Sequence, residues 1–165
     1  MNSIFHRVSV RKFQEKEVES DKLELILRAG MQAPSAYNLQ PWEFYVVRNR
    51  EVINELSQVS KHLPCAKNAP LVIVSVYREN VRVPQYNHIN LSIAMENMWL
   101  EADSLGLGAV WLGVCPFEEN MLKVDQILHL PQGLRTFALL AVGYPLTEPK
   151  AQQDRFQPER IHYVD

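Results

Sequence analysis

A chain of 165 residues with 47% hydrophobic and 22% charged residues can bury a real core and suits one soluble globular domain. Its formal net charge of -2 creates no global field for nucleic acid or an anionic membrane, and no apolar run is long enough to span a bilayer. The two cysteines, Cys65 and Cys115, form no C-x-x-C pair, and the N-terminus lacks the charged start and apolar core of a signal peptide, so reduced thiols and a cytoplasmic location are expected. In chain order, residues 1–7 suggest a short helical turn with Ile4 and Phe5 packing inward. Arg7-Val8-Ser9-Val10-Arg11-Lys12-Phe13 follows as extended chain. A period of two puts Arg7, Ser9 and Arg11 on one face and leaves Val8, Val10 and Phe13 as anchors. That row of guanidinium, hydroxyl and guanidinium matches an elongated anionic ligand with a phosphate at one end. Taken alone, it reads more simply as a solvated basic edge.

The spacing predicts a helix over 18–33, with Leu23, Ile26, Leu27 and Gly30 at i, i+3, i+4 and i+7. Asp21 with Glu24 suggests a capping box, and Pro34 marks the exit. Pro34-Ser35-Ala36-Tyr37-Asn38-Leu39-Gln40-Pro41-Trp42 is then a turn of small hydroxyl and amide residues, stiffened by proline at both ends. Ser35, Asn38 and Gln40 offer donors and acceptors without net charge, which suits a flat polar heterocycle. By itself the stretch is a helix-to-strand loop.

A strand is expected over 42–47 and an amphipathic helix over 51–60 carrying Val52, Leu56 and Val59. The apolar run 71–77 reads as a strand buried on both faces. After a polar connection over 78–85 comes the longest helix, 87–105. Its Ile89, Leu91, Ile93, Met95, Met98, Trp99, Leu100 and Ala102 surround the axis. Such a helix must be buried on most sides, and one small sheet cannot do that, so a second subunit is expected to cover the rest. A short strand over 108–113, a helix over 117–128 with Met121, Leu122, Val124 and Leu128 inward, and a strand over 136–142 complete the pattern. The tail 144–165 has prolines, little helical period before 161–164 and no core of its own. It is disordered or adds a strand to a partner. Alternating helices and strands give an α/β or α+β sandwich.

Common site types are missing. The five histidines, His6, His62, His88, His129 and His162, show no metal spacing, and there is no H-E-x-x-H, G-x-S-x-G or Walker A pattern. Gly106 and Gly108 begin a dinucleotide fingerprint, but Trp111 holds the third glycine position. No acid, base or nucleophile stands out, as expected where a bound cofactor carries the chemistry.

The Arg7–Phe13 and Pro34–Trp42 stretches, together with Gly106-Leu107-Gly108-Ala109-Val110-Trp111-Leu112-Gly113, Val142-Gly143-Tyr144-Pro145 and the tail around Arg155, resemble the nitroreductase family. These are dimeric FMN-dependent NAD(P)H oxidoreductases, and the resemblance covers nearly the whole chain. It implies an α+β (mixed α/β) fold: a central mixed sheet flanked by helices, one FMN-binding domain over 1–165, and a C-terminal tail extending onto the partner subunit. It implies that Arg7 goes to the FMN phosphate, and Ser9 and Arg11 to the polar ring edge. Arg11 would lie near N1 and the C2 carbonyl, where charge develops on reduction. Pro34, Ser35, Ala36 and Asn38, with Gln40 near the same edge, would reach the flavin from the other subunit, so that the site exists only in the homodimer. Trp111, Leu112 and Gly113 would lie along the isoalloxazine near N5. Arg155 would grip the phosphate, while Gln153 stands where the family carries a second basic residue. The short 78–85 connection replaces a helical excursion that covers the ring face in many members. The implied activity is ping-pong hydride transfer from NAD(P)H to a nitroaromatic, quinone or similar acceptor, with no catalytic side chain and no metal. A flavin-binding dimer for storage or sensing, without turnover, would use the same residues.

Overall fold

The apolar run expected to be buried on both faces is strand β2 (Leu71–Arg78), in which every residue from Leu71 to Tyr77 is buried. In the computed structural model, which describes residues 2–164, β2 pairs antiparallel with β1 (Trp42–Val47) on one side and β4 (Leu134–Gly143) on the other. Strand β3 (Gly108–Gly113) pairs antiparallel with β4, so the four-stranded order is β1-β2-β4-β3. Side chains alternate between two covered faces. On one face the Ser75 hydroxyl contacts Met95 Sδ of helix α4 (Asn87–Ser104) at 2.8 Å. On the other, Val76 is paired with Thr136, whose N–H and hydroxyl both donate to Asp125 of α5 (Glu118–Ile127). Helix α3 (Arg50–Ser57) packs against α5, and α2 (Ser20–Met31) packs on α4.

The fold is the expected α+β class, and its parallel component is the bridge between Ser9 and Ala109. Val10 N–H donates to Ala109 O at 3.0 Å, and a second bridge joins Phe13 to Pro145. The basic segment is therefore laid along β3. Gly108 permits this approach, because a Cβ there would lie 2.7 Å from Val10 Cβ.

Several local expectations change. Helix α1 (Ser3–His6) forms, but Ile4 and Phe5 are 62% and 75% exposed. So short a turn has one inward face, and His6 takes part of it through Asp103 at 2.8 Å. Val18 is buried ahead of α2, and Glu19 at the helix N-cap makes no capping bond, its carboxylate accepting instead from the Tyr144 hydroxyl. The Asp21–Glu24 box does not form, and Glu24 pairs instead with Arg28 one turn later at 2.6 Å. On α5, Met121 and Val124 are buried while Leu122 faces solvent. Within one chain α4 buries Leu91, Met95, Met98, Trp99 and Ala102, leaves Ile93 and Leu100 half-buried, and exposes Ile89. The tail carries a short 3-10 turn at Pro158–Arg160, and 161–164 form neither helix nor strand. Among the described residues, no helix is long and apolar enough to cross a membrane.

Candidate functional site

The segment laid along β3 forms one wall of a cavity of about 580 Å³, and the tail forms the other. Ser9 and Arg11 line it from the first side, Gln153 and Arg155 from the second. Three of the predicted site residues, separated by nearly the whole chain, thus meet in one place. Lys12 stands on the first wall and Lys150 on the second, with Glu148 as the acidic neighbour. Lys150 was not marked by any motif. A cation in the tail just ahead of Gln153 was the available signal, and it supplies positive charge where Gln153 cannot. Arg11 is exposed, and among the described residues its side chain makes one hydrogen bond, a long one to Ser9 O at 3.4 Å. Such a group has donors free for an anion.

Arg7 is placed differently. Its guanidinium lies 4.1 Å from the Trp99 ring centroid, and its Nε is 3.4 Å from Glu96. Its carbonyl accepts from the Gln152 side chain, which ties the tail to this segment. Arg7 therefore does not line the cavity that holds Ser9 and Arg11. The Nε of Arg7 and the indole Nε1 of Trp99 are both buried without a hydrogen-bond partner.

Trp111, Leu112 and Gly113 occupy the outer end of β3. Leu112 is buried in the core, so only its backbone is available to a ligand. Trp111 is half-buried and meets Phe137 edge-on at 5.7 Å. Gly113 is exposed, and a Cβ built there would meet nothing within 4 Å. A flat group has room to lie against this backbone.

The Pro34–Gln40 turn stores strain. Tyr37, Asn38 and Gln40 have φ of 53°, 54° and 44°, a left-handed region that costs a non-glycine residue ~1 kcal/mol or more. The turn is held by its own polar groups. Ser35 Oγ accepts from Gln40 N–H at 3.0 Å, and Asn38 Oδ1 accepts from Gln40 Nε2 at 2.8 Å. Arg78 donates to Gln40 O at 2.6 Å. Asn90 Oδ1 accepts from Ala36 N–H at 3.0 Å and fastens the turn to α4. Pro34, Asn38 and Gln40 are exposed, and Ser35 and Ala36 are half-buried. Backbone strain held in place by its surroundings clusters at ligand clamps and active sites.

Asn87 and Asn90 were overlooked in the sequence. Both are buried, and Asn87 Oδ1 and Asn90 Nδ2 lack partners. Two amides three residues apart at the start of an apolar helix were a readable signal. The turn and the cation-rich cavity do not share a wall. Asn90, under the turn, and Trp99, under Arg7, are separated along α4 by ~13 Å at 1.5 Å per residue. Among the described residues, no group of three His, Cys, Asp or Glu is placed to hold a metal.

This arrangement can be set beside known proteins. The profile of the nitroreductase family matches residues 4–81 and 60–144. The chain belongs to the nitroreductase family. A provisionally named NADH dehydrogenase/NAD(P)H nitroreductase of Methanothermobacter thermautotrophicus is 37% identical over 163 residues, covering 98% of this chain and 85% of the other. The crystal structure of a provisionally named NADH oxidase from Clostridium acetobutylicum superposes with a TM-score of 0.95 at 41% identity, over 99% of each chain. An FMN-dependent nitroreductase from Clostridium difficile gives a TM-score of 0.92 at 30% identity, over 99% of this chain and 98% of the other. Each of these matches covers 98% or more of this chain.

Proposed function

We propose that this nitroreductase-family chain is an FMN-dependent NAD(P)H oxidoreductase that works as a homodimer in the cytoplasm. The observation that carries the reading is the convergence of Ser9, Arg11 and Arg155 on one cation-rich cavity beside the β3 strand that bears Trp111–Gly113. The donor set fits the cofactor: hydroxyl and cations for a phosphate, open glycine backbone for a flat ring, and unused amide donors for a heterocycle edge. Bound FMN would supply the ring that takes hydride from NAD(P)H and delivers it, in a ping-pong sequence, to a nitroaromatic, quinone or similar acceptor.

The chain's own residues bind and orient. Arg155, Lys150 and Ser9 hold the phosphate. Arg7 keeps its place on Trp99 and Glu96 and braces the segment that presents Ser9 and Arg11. Arg11 sets a permanent positive charge at the polar ring edge, where negative charge accumulates on reduction. The backbone of Trp111, Leu112 and Gly113 lies along the ring. Pro34, Ser35, Ala36, Asn38 and Gln40 complete the edge from the second subunit, because in one chain they do not line the cavity. The tail reaches onto that subunit as well. None of these groups needs to transfer a proton, in keeping with the absence of an acid–base pair among them.

The test is an absorption spectrum of the protein as purified, FMN titration of any apoprotein, and steady-state NAD(P)H oxidation with menadione or a nitrofuran. A yellow protein that turns over with either acceptor is expected. A colourless chain that does not take up FMN rejects the reading, and a flavin-bound dimer without turnover supports storage or sensing instead.

A further inference from the structure

Cys115 and His88 form a pair that the flavin reading leaves unused. Cys115 N–H donates to Phe137 O at 2.8 Å, so the alternation of β3 continues past Gly113. Val114 turns into the core, and the thiol falls on the side of Trp111 and Gly113. Its Sγ lies 3.5 Å from His88 Nε2 and 3.8 Å from Nδ1. His88 sits on the first turn of α4. Its ring stacks on Phe137 at 5.7 Å and meets Tyr77 edge-on at 5.3 Å. The sulfur is half-buried and the imidazole is exposed. Thiol and base therefore reach solvent together beside Gly113, with Phe137 and Tyr77 buried behind them.

A buried structural cysteine would have no base beside it and no route to solvent. Here both are present. Burial lifts the thiol above its ordinary value, against the pull of Arg135, so the sulfur rests protonated. Its nucleophilicity then depends on a group that takes the proton during attack. The exposed imidazole is within reach of that proton. Cys65 is also half-buried and also raised by burial, but no histidine lies within hydrogen-bond distance of it among the described residues.

We propose that Cys115 and His88 form a nucleophilic site that captures flat, soft carbon electrophiles, quinones and α,β-unsaturated carbonyls, as covalent thioethers. His88 takes the thiol proton while the sulfur lone pair forms a C–S bond at the β-carbon. The C=C electron pair moves onto the carbonyl oxygen, and the proton passes from His88 to that oxygen. With a quinone, the proton on the carbon that now carries sulfur shifts to the second oxygen and leaves a thio-substituted hydroquinone. The adduct is the simple sum of protein and electrophile, so no other oxidant or reductant is needed. Phe137 and Tyr77 hold the imidazole in place from behind. The chemistry at Cys115 needs no cofactor.

The protein as purified, treated with N-ethylmaleimide below stoichiometry at neutral pH, is digested and its two thiols are quantified by mass spectrometry. Cys115 is expected to label at least ~10-fold faster than Cys65, since general-base help is commonly worth ~100-fold or more. His88→Asn should bring the Cys115 rate down to that of Cys65 and leave the Cys65 rate unchanged. 1,4-Benzoquinone should show the same ranking, with an adduct mass equal to the sum. Equal labelling of the two thiols, or a Cys115 rate indifferent to His88→Asn, overturns the proposal. If the variant also alters Cys65 labelling, a sign of misfolding, the ranking in the unaltered protein decides.

Discussion

Arg11 brings to the cavity a guanidinium whose donors are almost uncommitted, since its one hydrogen bond among the described residues is the 3.4 Å contact to Ser9 O. Removing it disturbs little of the fold and tests binding directly. Arg11→Ala should weaken FMN binding ~10- to 150-fold, the worth of ~1.5–3 kcal/mol for hydrogen bonds to a charged group. It should also lower the flavin midpoint potential, because the reduced anion loses its nearest cation. An unchanged potential would remove Arg11 from the ring edge. A second residue reports on pH. Burial, and then the neighbouring Cys115, push the Tyr77 hydroxyl up to about 12, against an ordinary value of about 10. Between those values the folded state keeps a proton that the unfolded state has lost. The stabilisation is fully present below pH ~10 and falls as pH rises toward 12. Denaturant midpoints across this range should drop less steeply for Tyr77→Phe than for the unaltered protein, and parallel curves would show that Tyr77 is not the group responsible. Ser9 and Arg11 stood out in the sequence as a row of hydroxyl and guanidinium and Arg155 only through the family resemblance; the fold lines one cavity with all three, and their part in binding is the proposal above. Lys150 and Asn90 could not be placed, because their importance lies in what they face: a cavity wall in one case, a strained turn in the other.

At the scale of elements, apolar periodicity located α2, α4, β2 and β3 to within a few residues, while the details of their ends went elsewhere. The Asp21–Glu24 box failed because α2 starts only after Val18 has been buried, and the two acids then fall inside the helix. Ile4 and Leu122 misled for a common reason: a short helix exposes an apolar side chain when its layer is already full. Gly30 was legible as an inward position, but its reason was not. A Cβ there would sit 2.7 Å from Met98 Cγ, 3.0 Å from its Sδ and 3.2 Å from Phe44 Cζ. The glycine lets α2 press onto α4 beneath the Pro34–Gln40 turn, which is fastened to the same helix by Asn90. Gly30→Ala gains helix propensity of ~1 kcal/mol but overpacks a closed contact by ~1–3 kcal/mol, so a net loss of up to ~2 kcal/mol is expected. A lower denaturation midpoint with an unchanged slope checks it, and a rise in the midpoint would mean that Met98 moves aside freely.

For the whole molecule, the decisive surface is the side of α4 that its own chain leaves bare. Ile89, Ile93 and Leu100 follow one another at helical spacing, with Ile89 55% exposed and the other two half-buried. The sequence announced a helix apolar around its whole axis, and the fold accounts for most of that surface but not for this stripe. The Pro34–Gln40 turn poses the same question from the side of the site, since it stands apart from the cavity it is proposed to complete. The proposed second copy would answer both. Ile89→Lys separates folding from assembly, because a side chain already in solvent can change without disturbing the core. In a two-fold interface the substitution acts twice. Each copy loses ~1.5–3 kcal/mol of burial, so dimer dissociation should rise ~100-fold or more. Sedimentation should show monomers at micromolar concentration, with thermal stability of the subunit little altered. FMN should be released in parallel with dissociation, because Ser35, Asn38 and Gln40 leave with the partner. A variant that becomes monomeric and still holds FMN tightly would place the whole site within one chain. One that stays dimeric would move the interface away from this face of α4.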